Sequence, residues 1–412
     1  MGKLDSQDEK PLARESVFTR LLSGARSFDQ LFSRLCATSN AGRVFLLLTI
    51  VGVGVKLFLA WKVGPTYDTD SFCMVGDRVL DGFTPYAVGK RYNYGPVWGY
   101  FIAAMRAVFG RTLPFSVVIP LILADMSIAW LLFRKGWRAA AILFLLSPFG
   151  LVVTGYMRMF DGVAIAIALW GVLTWGEDDS SDKWRAVKLS LVLGFSIATK
   201  HILVFFPFWL FFRERRTADR LTLLILPLAL FGLSFTIPLA QEMFRGGIPA
   251  VEQFVGNFLT NVSGYNPWNQ HDVSFWRDFM PRALLPIMPY EQLMIVAVLV
   301  TGWLFRRKTT FGAFVAYLAS LVLFSPGHFV QYWMIPLVFV SVMGFWCAMA
   351  YGVVAVWGLY STMQAAGGFC WVICLSEGSS QVLLALLALA LIRFYCSTTC
   401  CPDRAALERE RC

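Results

Sequence analysis

The chain has 412 residues, 57% of them hydrophobic and 16% aromatic, with a mean hydropathy of +0.61; content this apolar excludes a soluble globular domain. Repeated apolar runs of roughly 15–22 residues, bounded by Arg and Lys clusters, read instead as the helices of an all-α, polytopic integral membrane protein. The formal net charge of +10 then belongs to basic cytosolic loops and indicates no nucleic-acid partner.

The first ~40 residues are polar and charged (Lys3, Lys10, Arg14, Arg20, Arg26, Arg34, Arg43), carry no signal-peptide pattern and are expected in the cytosol by the positive-inside rule. Val44–Val63 is the first span and delivers a segment rich in acids and aromatics to the outer face. Ser71–Leu80 is amphipathic, and Pro96–Phe109, short and interrupted by Arg106, reads as a re-entrant or interfacial helix. Phe115–Phe133 is the second span, which leaves Arg134, Lys135 and Arg138 in the cytosol. Trp137–Thr154 returns outward and Phe160–Trp175 goes back in. Val187–Phe212 has basic residues at both ends and is expected to be two short helices hinged near Lys200-His201. Leu221–Ala240 exits again, 241–289 forms the longest outer loop, Glu291–Leu304 re-enters, and 310–395 supplies about four more helices, for a total of roughly 11–13. No internal repeat is visible, which weighs against a transporter. The nine cysteines suggest no disulfide framework; Cys396, Cys400 and Cys401, beside the last helix, are compatible with palmitoylation.

Several polar constellations interrupt this pattern. Asp68-Thr69-Asp70 precedes the Gly82-Phe83-Thr84-Pro85-Tyr86 turn and the Arg91-Tyr92-Asn93-Tyr94-Gly95-Pro96 strip. The two acids either cap the helix that follows or deprotonate a hydroxyl nucleophile, or help to bind a divalent cation. Arg158 and Asp161 lie at the outer end of two consecutive helices, either as a rim ion pair with Asp161 capping or as an anion site beside an acceptor pocket. Lys200 interrupts a 25-residue apolar stretch; it either contacts a lipid phosphate or pairs with a carboxylate such as Asp161, because an unpaired charge in hydrocarbon costs several kcal/mol. His201 beside it is a weaker candidate. Asp125, within a span, is expected to pair with Lys56 or Arg106. His328, Gln331 and Tyr332, at a later outer turn, suit sugar hydroxyls or phosphate, and Tyr265–Asp272 has similar chemistry. Asn261-Val262-Ser263 is a glycosylation sequon. No phosphate loop and no Rossmann pattern is present, which excludes an ATP-driven pump and a soluble nucleotide-sugar transferase domain.

These segments, taken in order, resemble the GT-C superfamily of polytopic glycosyltransferases, among them the GPI mannosyltransferase I catalytic subunit, the dolichyl-phosphate-glucose glucosyltransferases and the bacterial family 87 enzymes. The resemblance runs over roughly residues 65–335, from Asp68 and Asp70 through Tyr86, Arg91, Tyr94 and Pro96, Asp125, Gly155–Asp161 and Ala198–Pro207 to Ser325–Tyr332. Met157-Arg158-Met159 departs from the Gly-Gln of the glucosyltransferase pattern.

The resemblance implies a GT-C-like bundle with interfacial helices in the first outer loop. It divides the chain into a cytosolic segment (1–42), a catalytic transmembrane region (43–345), C-terminal helices (346–395) and a cytosolic tail (396–412). It implies an inverting transfer of a hexose, mannose favoured, from a polyprenyl-phosphate donor to a hydroxyl of a lipid-linked or glycolipid acceptor. The setting would be the lumenal or periplasmic face of an endoplasmic reticulum or bacterial plasma membrane, among membrane lipids and with room for an accessory subunit. In that reading Asp70, preferred over Asp68, is the base. Lys200, Arg158, His201 and His328 face the donor phosphate, and Asp161, Tyr94, Arg91, Gln331 and Tyr332 line the substrate. Mg2+ or Mn2+ at Asp68 and Asp70 is compatible but not required. The rival is a transporter or flippase of lipid-linked sugars.

Overall fold

A computed structural model describes residues 17–36, 40–64, 66–92, 94–110, 115–177, 182–263, 290–325, 330–365 and 375–397. Helices account for the regular structure of these residues. Five of them are long and apolar enough to cross a membrane, or six if the bent pair Arg138–Leu146 and Pro148–Met157 is one span. Shorter apolar helices, Pro96–Phe109, Asp161–Trp175, His201–Arg213, Thr310–Leu323 and Tyr332–Val342, supply the further elements expected from the sequence. The chain is a multi-pass helical membrane protein.

An amphipathic helix, α1 (Val17–Cys36), lies inside the segment that the sequence marked only as charged. Phe28 and Phe32 pack on Phe345, whose backbone N–H donates to Asp29 Oδ1 at 2.8 Å. The first span, α2 (Ala41–Val63), is apolar nearly all round. Leu46, Leu47, Ile50 and Phe58 face outward, as lipid-facing positions do, while Lys56 is turned inward.

Helix α3 (Tyr67–Leu80) follows at once. It starts four residues earlier than the amphipathic pattern suggested, because Thr66 caps it and accepts from the Thr69 N–H. Asp68 and Asp70 therefore occupy its first turn, where carboxylates are favoured by the helix dipole. Helix α4 (Pro96–Phe109) opens on a proline, which has no N–H to leave unsatisfied. Its Arg106 is buried and makes two 2.8 Å bonds to Asp77 of α3. Asp125 of α5 (Phe115–Arg134) pairs instead with Lys56, at 2.5 Å.

One span is bent, and a second apolar stretch is divided into two short helices that begin and end on the same side. After α6 (Arg138–Leu146) and the short α7 (Pro148–Val152), residues Val153–Met157 form a π-turn that ends at Arg158 in the left-handed region. Helix α8 (Asp161–Trp175) then departs. Helix α9 (Arg185–Thr199) ends at Lys200, whose backbone is extended, and α10 (Phe206–Arg213) begins with Pro207 in its first turn. This is the hinge expected from the charge pattern. Irregular backbone at such depth survives only where protein surrounds it, and Lys200 is 3% exposed. Helices α11 (Thr217–Ser234) and α12 (Thr236–Ser263, kinked at Gly247) follow, then α13 (Tyr290–Leu304), α14 (Thr310–Leu323), α15 (Leu337–Val342), α16 (Phe345–Ala365) and α17 (Glu377–Cys396).

The bundle has two polar ends. At one, Arg185 pairs with Glu214, Arg213 Nε donates to the Lys308 carbonyl at 2.9 Å, and Lys308 Nζ caps the carbonyls of Phe394 and Ser397. At the other, Gln241 bridges the Gly82 carbonyl and the Tyr100 hydroxyl, and Thr84 donates to Glu242 at 2.8 Å. Helix α2 joins the two ends: Phe45 stacks on Phe133 near its start, and the Ala60 carbonyl accepts from Arg158 near its end.

Candidate active site

The site lies at the α3 end, where four separate stretches of chain meet. The strip before α4 is held by its own tyrosines. The Tyr92 hydroxyl donates to the Gly95 carbonyl at 2.5 Å and accepts from the Gly99 N–H at 2.8 Å, while the Tyr86 hydroxyl donates to the Tyr94 carbonyl. Gly95 passes so close to α9 that a Cβ there would lie 1.8 Å from the Ala198 carbonyl oxygen. Gly95→Ala should therefore push the strip off α9 and lower stability by about 1–3 kcal/mol, as overpacking does; a thermal unfolding curve within error of wild type would contradict this contact.

Beneath the strip, Phe72, Trp98 and Phe160 form a buried aromatic nest, with Trp98 and Phe160 stacked at 4.6 Å and Phe72 edge-on to both. Such pairs add about 0.5–1.5 kcal/mol each beyond their buried area. Lys200 rests on this nest, with Nζ 4.4 Å from the Phe160 ring centre and 5.1 Å from that of Tyr94.

Lys200 Nζ also lies 2.7 Å from Asp161 Oδ1. Asp161 is fully buried, and the contact is an ion pair without hydrogen-bond alignment; among the described residues its Oδ2 has no hydrogen-bond partner. A buried carboxylate oxygen left unpaired is costly, and it is suited to accept from a hydroxyl brought by a ligand. Asp161 thus pairs with Lys200 and not with Arg158, contrary to the rim-pair alternative.

Asp68 faces the same cluster from the first turn of α3. Burial pushes its carboxyl up to about 6; Lys200 partly offsets this and Asp161 adds to it. Burial, then the Asp68 and Asp161 carboxylates, hold the Tyr94 phenol well above its ordinary range, so it remains a neutral donor. The Tyr332 phenol also acts on Tyr94. Asp70 is exposed on the other side of α3, since residues two apart on a helix differ by about 200° in direction. Position in the site, which the sequence weighed in favour of Asp70, favours Asp68 for this reason.

The same phase decides the metal question for this pair. Two carboxylates on opposite sides of one helix do not converge on one ion, and among the described residues no group of three or more His, Cys, Asp or Glu side chains could hold one. The donor set does not fit a shared divalent cation.

Arg158 is buried, with Nη2 donating to the Ala60 carbonyl at 2.6 Å and Nη1 to the Thr69 hydroxyl at 3.1 Å. It lies between α2 and α3, with both terminal nitrogens engaged. His201 is exposed on the short turn after Lys200. His328 and the side chains of Arg91 and Gln331 lie outside the described residues, as do Tyr265–Asp272, Cys400 and Cys401. The sequon residues Asn261–Ser263 end α12.

Sequence reasoning passed over Thr66, Thr69 and Phe160. Thr66 was legible in principle, as a Thr directly ahead of two first-turn acids. Phe160 as the platform beneath Lys200 had no signal in the chain.

Fold and site together define a polytopic helical membrane protein with a cluster at one end in which a buried carboxylate and ammonium, Asp161 and Lys200, meet the half-buried Asp68 and aromatic rings. No known family profile and no curated protein matches the chain. Among solved structures, the archaeal oligosaccharyltransferase AglB from Archaeoglobus fulgidus, in complex with an inhibitory peptide and a dolichol-phosphate, is similar with a TM-score of 0.41 and 14% identity, over 87% of this chain and 55% of that one. The chain thus spans about half the length of that protein.

Proposed function

We propose that the protein is an inverting glycosyltransferase of the GT-C type that moves a hexose, mannose favoured, from a polyprenyl-phosphate donor to a hydroxyl of a lipid-linked or glycolipid acceptor. One observation carries the reading: Asp68, Tyr94, Asp161 and Lys200, from four separate segments, converge at one end of a membrane bundle, beside the interfacial helices α3 and α4. The order of motifs along the chain, which resembles that superfamily, supports it independently.

In the proposed step the acceptor oxygen attacks C1 of the sugar and Asp68 takes the acceptor proton. The C1–O bond to phosphate breaks with its electron pair, and polyprenyl phosphate leaves. Lys200 faces the charge that grows on the phosphate, where a preorganised cation in a dry site is most effective. Asp161 holds the Lys200 ammonium in place and offers Oδ2 to a sugar hydroxyl. Tyr94 and Tyr332 border the sugar; for Arg91 and Gln331 on the sugar side, and for His201 and His328 on the phosphate side, the roles are those that the superfamily resemblance implies. Apolar helices hold the polyprenyl chain, and an accessory subunit could complete the acceptor site. The donor-side test is a panel of polyprenyl-phosphate hexoses assayed for release of polyprenyl phosphate. Release with one hexose above the others is expected, and release with none would favour the flippase reading.

The site is assigned to the lumenal or periplasmic face of an endoplasmic reticulum or bacterial plasma membrane, with the Arg- and Lys-rich end in the cytosol. Single cysteines at positions 70 and 245 should be labelled by an impermeant thiol reagent from the side opposite to cysteines at 135 and 215. Labelling of positions 70 and 135 from one side would overturn this orientation.

A further inference from the structure

We propose that Arg158 is a positioning residue for Asp68: it clasps the last turn of α2 to the first turn of α3 and so fixes the direction in which Asp68 points. This rests on the reading of Asp68 as the base, and it replaces the donor-phosphate role expected of Arg158.

Arg158 is the described non-glycine residue with a positive φ, 61°, and that conformation ends the π-turn. The turn itself is anchored. Thr154 Oγ1 donates to Asp125 Oδ2 at 2.6 Å, and the same carboxylate oxygen takes Lys56 at 2.5 Å. A Cβ at Gly155 would lie 3.0 Å from the Lys56 Cα, so the turn is pressed against α2. From this base the guanidinium spans two acceptors, which a planar fork can do and a single ammonium cannot. One is the Ala60 carbonyl, in the turn of α2 that precedes its end at Val63. The other is the hydroxyl of Thr69, the residue between the two acids. Thr69 Oγ1 also shares a hydrogen bond with Thr66 Oγ1, 2.9 Å away, which is the helix cap, and either hydroxyl can donate in it. The chain of bonds therefore runs from Arg158 to the first residue that sets the phase of α3. A turn of that helix by one residue, about 100°, would carry Asp68 away from Lys200 and Asp161. The Arg158 side chain is 1% exposed, and its Nε, which has no hydrogen-bond partner among the described residues, is buried with it, so a phosphate would have to enter a closed site to reach it.

The test is hydrogen–deuterium exchange of the full-length protein in detergent, with donor kinetics on the same preparations. Arg158→Lys and Thr69→Val should speed exchange at the start of α3 by roughly 10-fold or more, as expected of a locally opened turn. Thr69→Ser, which keeps the hydroxyl, should exchange like wild type, and peptides from α9 to α14 should be unchanged in all three. Turnover should fall about 10–100-fold in the first two variants with donor KM within about 3-fold, the signature of a misplaced reacting group, not of lost binding. Wild-type exchange at α3 in Arg158→Lys and Thr69→Val would overturn the clasp, as would a raised donor KM with turnover intact. Should Arg158→Lys not fold, the Thr69→Val and Thr69→Ser pair decides alone. Failure of the wild-type protein to release polyprenyl phosphate from any donor would refute the glycosyltransferase reading, and the exchange data would still decide whether the clasp exists.

Discussion

Asp68→Asn is expected to lower hexose transfer by at least ~100-fold, the usual scale for loss of a general base, while Asp70→Asn keeps most of it. The two side chains are chemically identical and separated by one residue, so the contrast tests helix phase directly. Asp68 faces Lys200, Asp161 and Tyr94; Asp70 is exposed on the opposite side of α3. The base must be ionised to act, so wild-type turnover should rise with pH through about 6, the value to which burial pushes the Asp68 carboxyl. The sign for stability is the reverse of the usual carboxylate case. A folded value above the ordinary one near 4 means that the protonated form is favoured by folding. The contribution of Asp68 to stability is therefore complete below about 4 and is lost as pH rises through about 6. Asp68→Asn should accordingly be no less stable than wild type at pH 8 by thermal unfolding. Equal losses of turnover in the two single variants would remove the distinction between the acids.

Lys200→Ala is expected to be the most destabilising single change at the site. It would leave Asp161 fully buried and charged, with an oxygen that already lacks a hydrogen-bond partner among the described residues. Breaking a buried pair from one side costs about 3–5 kcal/mol, mostly for the charge left behind. The double replacement of Lys200 by Met and Asp161 by Leu removes both charges and should recover much of that loss, since apolar substitutes of similar volume often match a buried pair. It should not recover transfer, because the ammonium that faces the departing phosphate is gone. Lys200→Arg should retain part of the activity, since the charge persists but its placement changes. Thermal unfolding and donor saturation, measured on the same variants, separate the two roles. A double variant that is as active as wild type would reduce Lys200 to a structural partner of Asp161.

Much of the bundle was legible in the chain because lipid imposes long apolar runs and loops sort by charge. The hinge at Lys200 followed from basic residues at both ends of one apolar stretch, and α4 was bounded by Pro96 and Gly110 as helix chemistry requires. The membership of the site was legible as separate candidates: Asp68 and Asp161 as acids at the outer ends of helices, Lys200 as a charge within an apolar run, and Tyr94 through the superfamily resemblance. Their pairing stood only as one alternative among others: Asp161 was named as a partner for Lys200, and the structure bears this out, but it was also named as a partner for Arg158. Asp161 could equally have met Arg158, three residues away, and only the left-handed backbone at Arg158 sends that side chain to Ala60 and Thr69. The choice between Asp68 and Asp70 turned on where α3 begins, a matter of a few residues set by the Thr66 cap. Helix α1 was hidden by its charge, since basic residues on one face of an amphipathic helix look, in sequence, like a solvated tail.

The most direct test of the glycosyltransferase reading is a reconstitution in sealed proteoliposomes with a polyprenyl-phosphate mannose labelled in the sugar, together with glycolipid acceptors. The expected result is a labelled hexose on the acceptor with inverted anomeric configuration, matched by an equal amount of free polyprenyl phosphate, and both abolished by Asp68→Asn. Movement of the intact sugar-phosphate lipid across the bilayer, with no transfer and no free polyprenyl phosphate, would contradict the account and show a flippase instead.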